Sequence, residues 1–120
     1  MSDPRQSVGQ RGEHAVAARL RRAGYTLLAR NWRHRELGEL DIVARQGDEI
    51  VFVEVRTRRG RRFGTAEESV TPHKQVQLQT LAEAYCMQAG WDGPVRIDVV
   101  AVSLSSQGDL IEINHIQDAV

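Results

Sequence analysis

Gly38-Glu-Leu-Asp-Ile-Val-Ala-Arg-Gln-Gly-Asp-Glu-Ile-Val-Phe-Val-Glu-Val-Arg-Thr-Arg58 reads as a β-hairpin. Ile42, Val43 and Ala44 lie on one side of a polar break and Ile50 to Val55 on the other. The break, Gln46-Gly47-Asp48-Glu49, carries a Gly-X pair suited to a two-residue type II′ turn. With Gly47-Asp48 as the loop, Gln46 pairs with Glu49. Counting back along both strands places Asp41 opposite Glu54 and Glu39 opposite Arg56. A three-residue loop would shift that register.

Directly opposed side chains on antiparallel strands have Cβ atoms about 5 Å apart, and like charges there repel. Two facing carboxylates therefore need relief. One can hold a proton, an arginine can compensate, or a divalent cation can sit between them. Mg²⁺ is typically held by one or two carboxylates together with phosphate and water. Alternation puts Ile50, Phe52, Glu54, Arg56 and Arg58 on one face of the second strand. Val51, Val53, Val55 and Thr57 share the other. The plainer reading is a strand running from core into solvent, with Glu39 and Arg56 as a surface ion pair.

A chain of 120 residues with 41% hydrophobic and 27% charged residues suits one globular domain. We expect a flexible start over residues 1–8 and a single domain over 9–120. No run of 18 apolar residues suggests a membrane span. Met1 to Gln6 has no apolar signal core, and the single cysteine, Cys86, excludes an internal disulfide. Both suit the cytoplasm. Cys86 is expected as a small buried helix residue. The net charge of zero hides an asymmetry: residues 1–62 hold 14 Arg against 8 acids, and residues 63–120 hold 2 basic residues against 8 acids. The basic half invites an anionic partner.

The first helix is expected over Gly9 to Ala23, ended by Gly24. Its apolar stripe of Val16, Ala17, Leu20 and Ala23 projects back onto Glu13, which should face the sheet. A first-turn carboxylate favoured by the helix dipole is the simpler account of Glu13. Tyr25 to Trp32 reads as the first strand. Trp32 among Arg30, Arg33 and Arg35 is either a stacking and phosphate surface or a half-buried anchor. Arg58, Arg59, Arg61 and Arg62 around Gly60 form the most basic run, either a phosphate-holding loop or a solvated one. Thr71-Pro72 opens a second helix running to about Gln88, with Leu78, Leu81, Ala82 and Tyr85 buried. Lys74 shares that face, where a nearby anion or a snorkelling stem would explain it. Val95 to Leu104 reads as a central strand, with Asp98 orienting Arg96 or capping backbone. Asp109 to Ile116 reads as a weaker, edge strand. The expected class is α/β (α+β), a mixed sheet flanked by helices in the order α-β-β-β-α-β-β.

Gly9-x-x-Gly12-Glu13, Asn31, Gly38-Glu39-Leu40-Asp41, Phe52-Val53-Glu54-Val55-Arg56-Thr57-Arg58, Lys74 and Arg96-Ile97-Asp98-Val99-Val100 closely resemble the YraN-like bacterial family. The resemblance spans nearly the whole chain. That family is similar to the restriction-endonuclease-like superfamily, and most to archaeal-type Holliday junction resolvases. A PD-(D/E)xK signature there arranges two acids and a lysine around Mg²⁺, with a further helix glutamate. The resemblance implies that Asp41 and Glu54 hold Mg²⁺ or Mn²⁺ and that Glu13 completes the site.

Arg56 stands where the signature has lysine. Arginine can bind phosphate oxygens but stays protonated. Either Arg56 acts as an electrostatic stabiliser beside the metal, or Lys74 substitutes from the helix, or activity is weak or lost. The implied activity is a metal-dependent endonuclease acting on DNA, with branched or irregular structures foremost and Arg33, Arg35, Lys74 and the Arg58–Arg62 run contacting the backbone. The alternatives are a non-catalytic nucleic-acid-binding module on the same scaffold, and an interaction subunit whose charged halves bind a protein partner or each other in a homodimer.

Overall fold

A computed structural model describes residues 6–59 and 70–120. Five strands form one mixed sheet in the order β1-β2-β3-β4-β5. They are β1 (Thr26–Arg33), β2 (Glu39–Gln46), β3 (Glu49–Arg59), β4 (Val95–Leu104) and β5 (Leu110–Ile116). Helix α1 (Val8–Arg22) precedes β1, and α2 (Pro72–Ala89) joins β3 to β4. The element order is the expected one. Only β3 and β4 run parallel, because a helix separates them while short turns join the rest.

Alternation along the strands builds two cores. Phe52, Ile50, Val43, Ile97 and Val99 pack with Leu78 and Leu81 of α2. Val51, Val53, Ile42, Val100 and Val102 pack with Val16, Ala17 and Leu20 of α1. The helices therefore cover opposite faces of the sheet. The faces expected for β3 are the observed ones.

The hairpin turns at Gly47-Asp48, with Gln46 opposite Glu49. Gly47 has φ +62° whereas Asp48 is not left-handed, the signature of a type II′ turn. Arg96 staples this end of the sheet. Its guanidinium donates to Asp98, Glu49, Gln46 and the Tyr25 hydroxyl. Asp98 is fully buried and also accepts from the Asp118 N–H and bonds His115 Nε2. Burial would raise its pKa, but bonds from His115, the Asp118 amide and Arg96 together hold it below the usual carboxylate value. Asp98 thus both orients Arg96 and caps backbone, and its role is architectural.

Some boundaries differ from expectation. Helix α1 begins at Val8, because Ser7 and Gln10 form a reciprocal capping box. Ser7 and Val8 therefore belong to the helix start. Glu13 is then the sixth helical residue, and the first turn of α1 holds no acid. The dipole account of Glu13 consequently fails. Helix α2 is capped by Thr71, whose hydroxyl accepts from the Lys74 N–H, and ends at Gly90 with φ +67°. Cys86 is half-buried rather than buried, at the edge of the α2 core. β5 is an edge strand, as expected.

Candidate functional site

The ladder between β2 and β3 stops at Ile42–Val53, one step before Asp41 and Glu54. Beyond it the strands fork. Leu40 and Val43 both pack on the α2 side, while Ile42 packs on the α1 side. Strict alternation therefore breaks across residues 40–42. Asp41 fills the fork, its Oδ2 accepting the Val55 N–H at 2.8 Å. A side chain takes the place of the next backbone partner.

The Asp41 carboxyl lies close enough to Glu54 for the two charges to repel. Burial first, and then the Glu54 charge, push the Asp41 pKa up to about 7. Glu54 is only 5% exposed. Its Oε2 lies 3.2 Å from Arg56 Nη2 and 3.6 Å from Lys74 Nζ. The two acids from neighbouring strands thus meet, and Lys74 reaches them from the first turn of α2. The anion that explains this lysine is Glu54.

Glu13 approaches from α1. Its Oε1 accepts from Asn31 Nδ2 at 2.6 Å. The same amide donates to Glu39 at 3.2 Å. Burial raises the Glu13 pKa, the Asn31 bond opposes this, and the Asp41 and Glu39 charges add to the rise. A polar cleft of about 460 Å³ opens here, lined by Gln10, Glu13, His14, Arg30, Asn31 and Glu39 among others.

The expected Glu39–Arg56 pairing does not form. Because β2 leaves β3 after Ile42, Glu39 turns to Arg33 at 3.3 Å on β1, and Arg56 turns to Glu54. Arg33 and Arg35 lie on or beside the β1–β2 turn and are exposed. Arg58 and Arg59 end β3. Arg61 and Arg62 lie outside the described residues.

Among the described residues, no three His, Cys, Asp or Glu side chains gather closely enough to hold a metal ion. Asp41 and Glu54 form a two-carboxylate site, and Glu13 stands beside it on Asn31. The repulsion between Asp41 and Glu54 marks where a cation would fit, since a divalent ion would relieve it. The donors are all oxygens, which suits Mg²⁺ or Mn²⁺ over zinc.

Residues 12–102 match the model of Uncharacterised protein family UPF0102. A UPF0102 protein of Roseiflexus castenholzii is 46% identical over 122 residues, covering 100% of this chain and 98% of the relative. One from Moorella thermoacetica is 48% identical over 120 residues, covering 99% of each. One from Symbiobacterium thermophilum is 48% identical over 104 residues, covering 86% of this chain and 87% of the relative. The chain belongs to UPF0102.

In this UPF0102 protein one positioning residue escaped the candidate set drawn from the sequence. Asn31 sits in mid-strand with φ +52°, a left-handed conformation that asparagine tolerates better than most residues. It lies between the Arg30–Ile42 and Trp32–Leu40 pairs, level with Asp41. Asparagine is depleted in strands, and Asn31 also stands among the residues that carry the family resemblance. Asn31→Gly keeps the backbone and loses the amide, whereas Asn31→Ala loses both. In urea melts the alanine variant should be the less stable of the two by about 1 kcal/mol. If the amide positions Glu13, both variants should show the same loss of metal-dependent activity.

Proposed function

We propose that this protein is a Mg²⁺-dependent nuclease that hydrolyses DNA phosphodiester bonds, with branched or otherwise irregular DNA as its substrate, in the cytoplasm. The observation that supports this most is the meeting of half-buried Asp41 with buried Glu54 at the fork, the Asp41 pKa raised by burial and by the Glu54 charge, with two cationic side chains on Glu54. A carboxyl with a raised pKa held against a second carboxylate is a costly arrangement that core packing alone does not need.

Asp41 and Glu54 are the residues that would hold the metal. When bound, Mg²⁺ supplies Lewis-acid polarisation of the phosphate and a more acidic water. Glu13 and Asn31 form the wall on the α1 side and orient water there. Arg56 stays charged and is placed to meet the phosphate oxygens as negative charge builds on them. Lys74 can both give and take a proton, so of the two cations it is the one suited to the role the resemblance assigns to lysine. The chain therefore keeps a lysine at the site by drawing it from α2.

A second reading, a non-catalytic DNA-binding module, has its own support. Arg56 and Lys74 already offset the Glu54 charge. Among the described residues no helix is long and apolar enough to cross a membrane.

The deciding experiment incubates branched, flapped, single-stranded and linear DNAs with Mg²⁺ or Mn²⁺ and compares wild type, Glu54→Ala, Lys74→Ala and Arg56→Lys. Cleavage is expected for wild type and Arg56→Lys. Glu54→Ala should be inactive with DNA affinity retained, and Lys74→Ala should fall by roughly 10²-fold. Salt-sensitive binding with no metal-dependent cleavage by any protein supports the second reading.

A further inference from the structure

A ladder of rings runs from the α2 core to the β1–β2 turn. Phe52 is buried. Tyr85 meets it edge-on at 5.7 Å, and Trp32 meets Tyr85 edge-on at 5.3 Å. His34 then lies flat on Trp32, with centroids 5.5 Å apart and planes 8° apart. The first three rings brace one another through the core. His34 ends the series, half-buried, in the β1–β2 turn.

That turn is held firmly. The His34 N–H donates to Gly38 O, and the Leu37 N–H donates to His34 O. Gln77 of α2 donates to the Leu37 carbonyl at 2.6 Å. Gly38, at φ +122°, sits against the same Gln77. The ring at position 34 is thus carried on a fixed turn, two residues after Trp32 and flanked by Arg33 and Arg35. The side chain of Arg33 is 70% exposed. Trp32, which the sequence offered as a stacking surface, is covered on one face by His34 and met by Tyr85, so it serves as the support.

We propose that His34 is a stacking platform for an unpaired nucleobase of the nucleic acid held at the fork, with Arg33 and Arg35 meeting the phosphates on either side. This rests on the reading of the fork as a nucleic-acid site. Flat rings on rigid supports accept any base, because every base has a π-face. A fully paired duplex has no free base to offer. His34 would therefore favour DNA with unpaired positions over linear duplex without reading its sequence.

The test measures binding in EDTA, where no cleavage occurs. The probes are a forked DNA carrying 2-aminopurine at its unpaired position and a linear duplex of the same length. Wild type, His34→Ala and His34→Phe are compared, and thermal melts establish that each is folded. We expect His34→Ala to lose roughly tenfold or more in affinity for the fork, to lose the 2-aminopurine quench, and to bind duplex as wild type does. His34→Phe should keep the preference. Binding to fork and duplex that is unchanged, or reduced equally, in His34→Ala overturns the proposal while leaving the nucleic-acid reading standing. Wild type that binds neither DNA overturns both.

Discussion

Asp41→Asn is expected to stabilise the metal-free protein at pH 8 and, in the same variant, to abolish metal-dependent cleavage. The Asp41 carboxyl titrates near 3.8 in the unfolded chain and at about 7 in the fold. Between those values the folded state holds a proton that the unfolded chain has lost. Stability therefore falls as pH rises from about 4 to about 7, by at most about 4 kcal/mol. Asparagine copies the protonated acid, since its amide can donate to Glu54 while its oxygen accepts the Val55 N–H. It cannot ionise, so its stability curve should be flatter and the gain at pH 8 about 1–3 kcal/mol. Thermal melts from pH 4.5 to 8.5 in EDTA measure this. If Asp41 and Glu54 hold the metal as proposed, removing one of them forfeits several kcal/mol of transition-state stabilisation, roughly 10³-fold in rate. A variant that is both more stable and inactive would show that the acids are kept for chemistry. A variant less stable at every pH would assign Asp41 to the architecture.

Gly12→Ala is expected to cost about 2–3 kcal/mol. Gly12 is buried where α1 crosses β3. A Cβ there would collide with the Thr57 hydroxyl and lie 2.8 Å from Thr57 Cβ and 2.9 Å from Thr57 Cγ2. No rotamer of Thr57 moves its Cβ, so the helix itself must lift. Glu13 is the next residue, and lifting α1 would pull it from Asn31. The variant should lose activity as well as stability in urea melts and cleavage assays. Thr57→Ala in the same chain removes the hydroxyl and methyl but leaves the Cβ contact, and should recover only part of the loss. Full stability in Gly12→Ala alone would contradict the close approach.

Most of the fold could be read from local patterns. The II′ turn and the β3 faces followed from Gly47-Asp48 and from alternation, because both are short-range effects. The α2 N-cap followed from Thr71-Pro72. The meeting of Asp41 with Glu54 followed from counting register. What counting missed was the fork, since it assumes a ladder that continues. The ladder stops because a carboxylate replaces a backbone partner, and Glu39 and Arg56 then go elsewhere. Asn31 was missed for a related reason: its backbone conformation is visible only once β1 lies against β2. Helix α1 starts at Val8 rather than Gly9 because the Ser7–Gln10 capping box draws it back by one residue, which leaves Glu13 beyond the first turn. Lys74 was placed on the right face, but only three dimensions bring its amine to Glu54.

Binding of Mn²⁺ by the purified protein, followed by electron paramagnetic resonance and calorimetry near pH 6.5, tests most directly whether a divalent ion belongs between Asp41 and Glu54. Wild type should bind Mn²⁺ saturably and release a proton as it does so, because Asp41, raised to about 7, must lose its proton to hold the ion. Asp41→Asn and Glu54→Gln should each bind at least about tenfold more weakly. Equal Mn²⁺ binding by all three proteins, or none by wild type, would contradict the account.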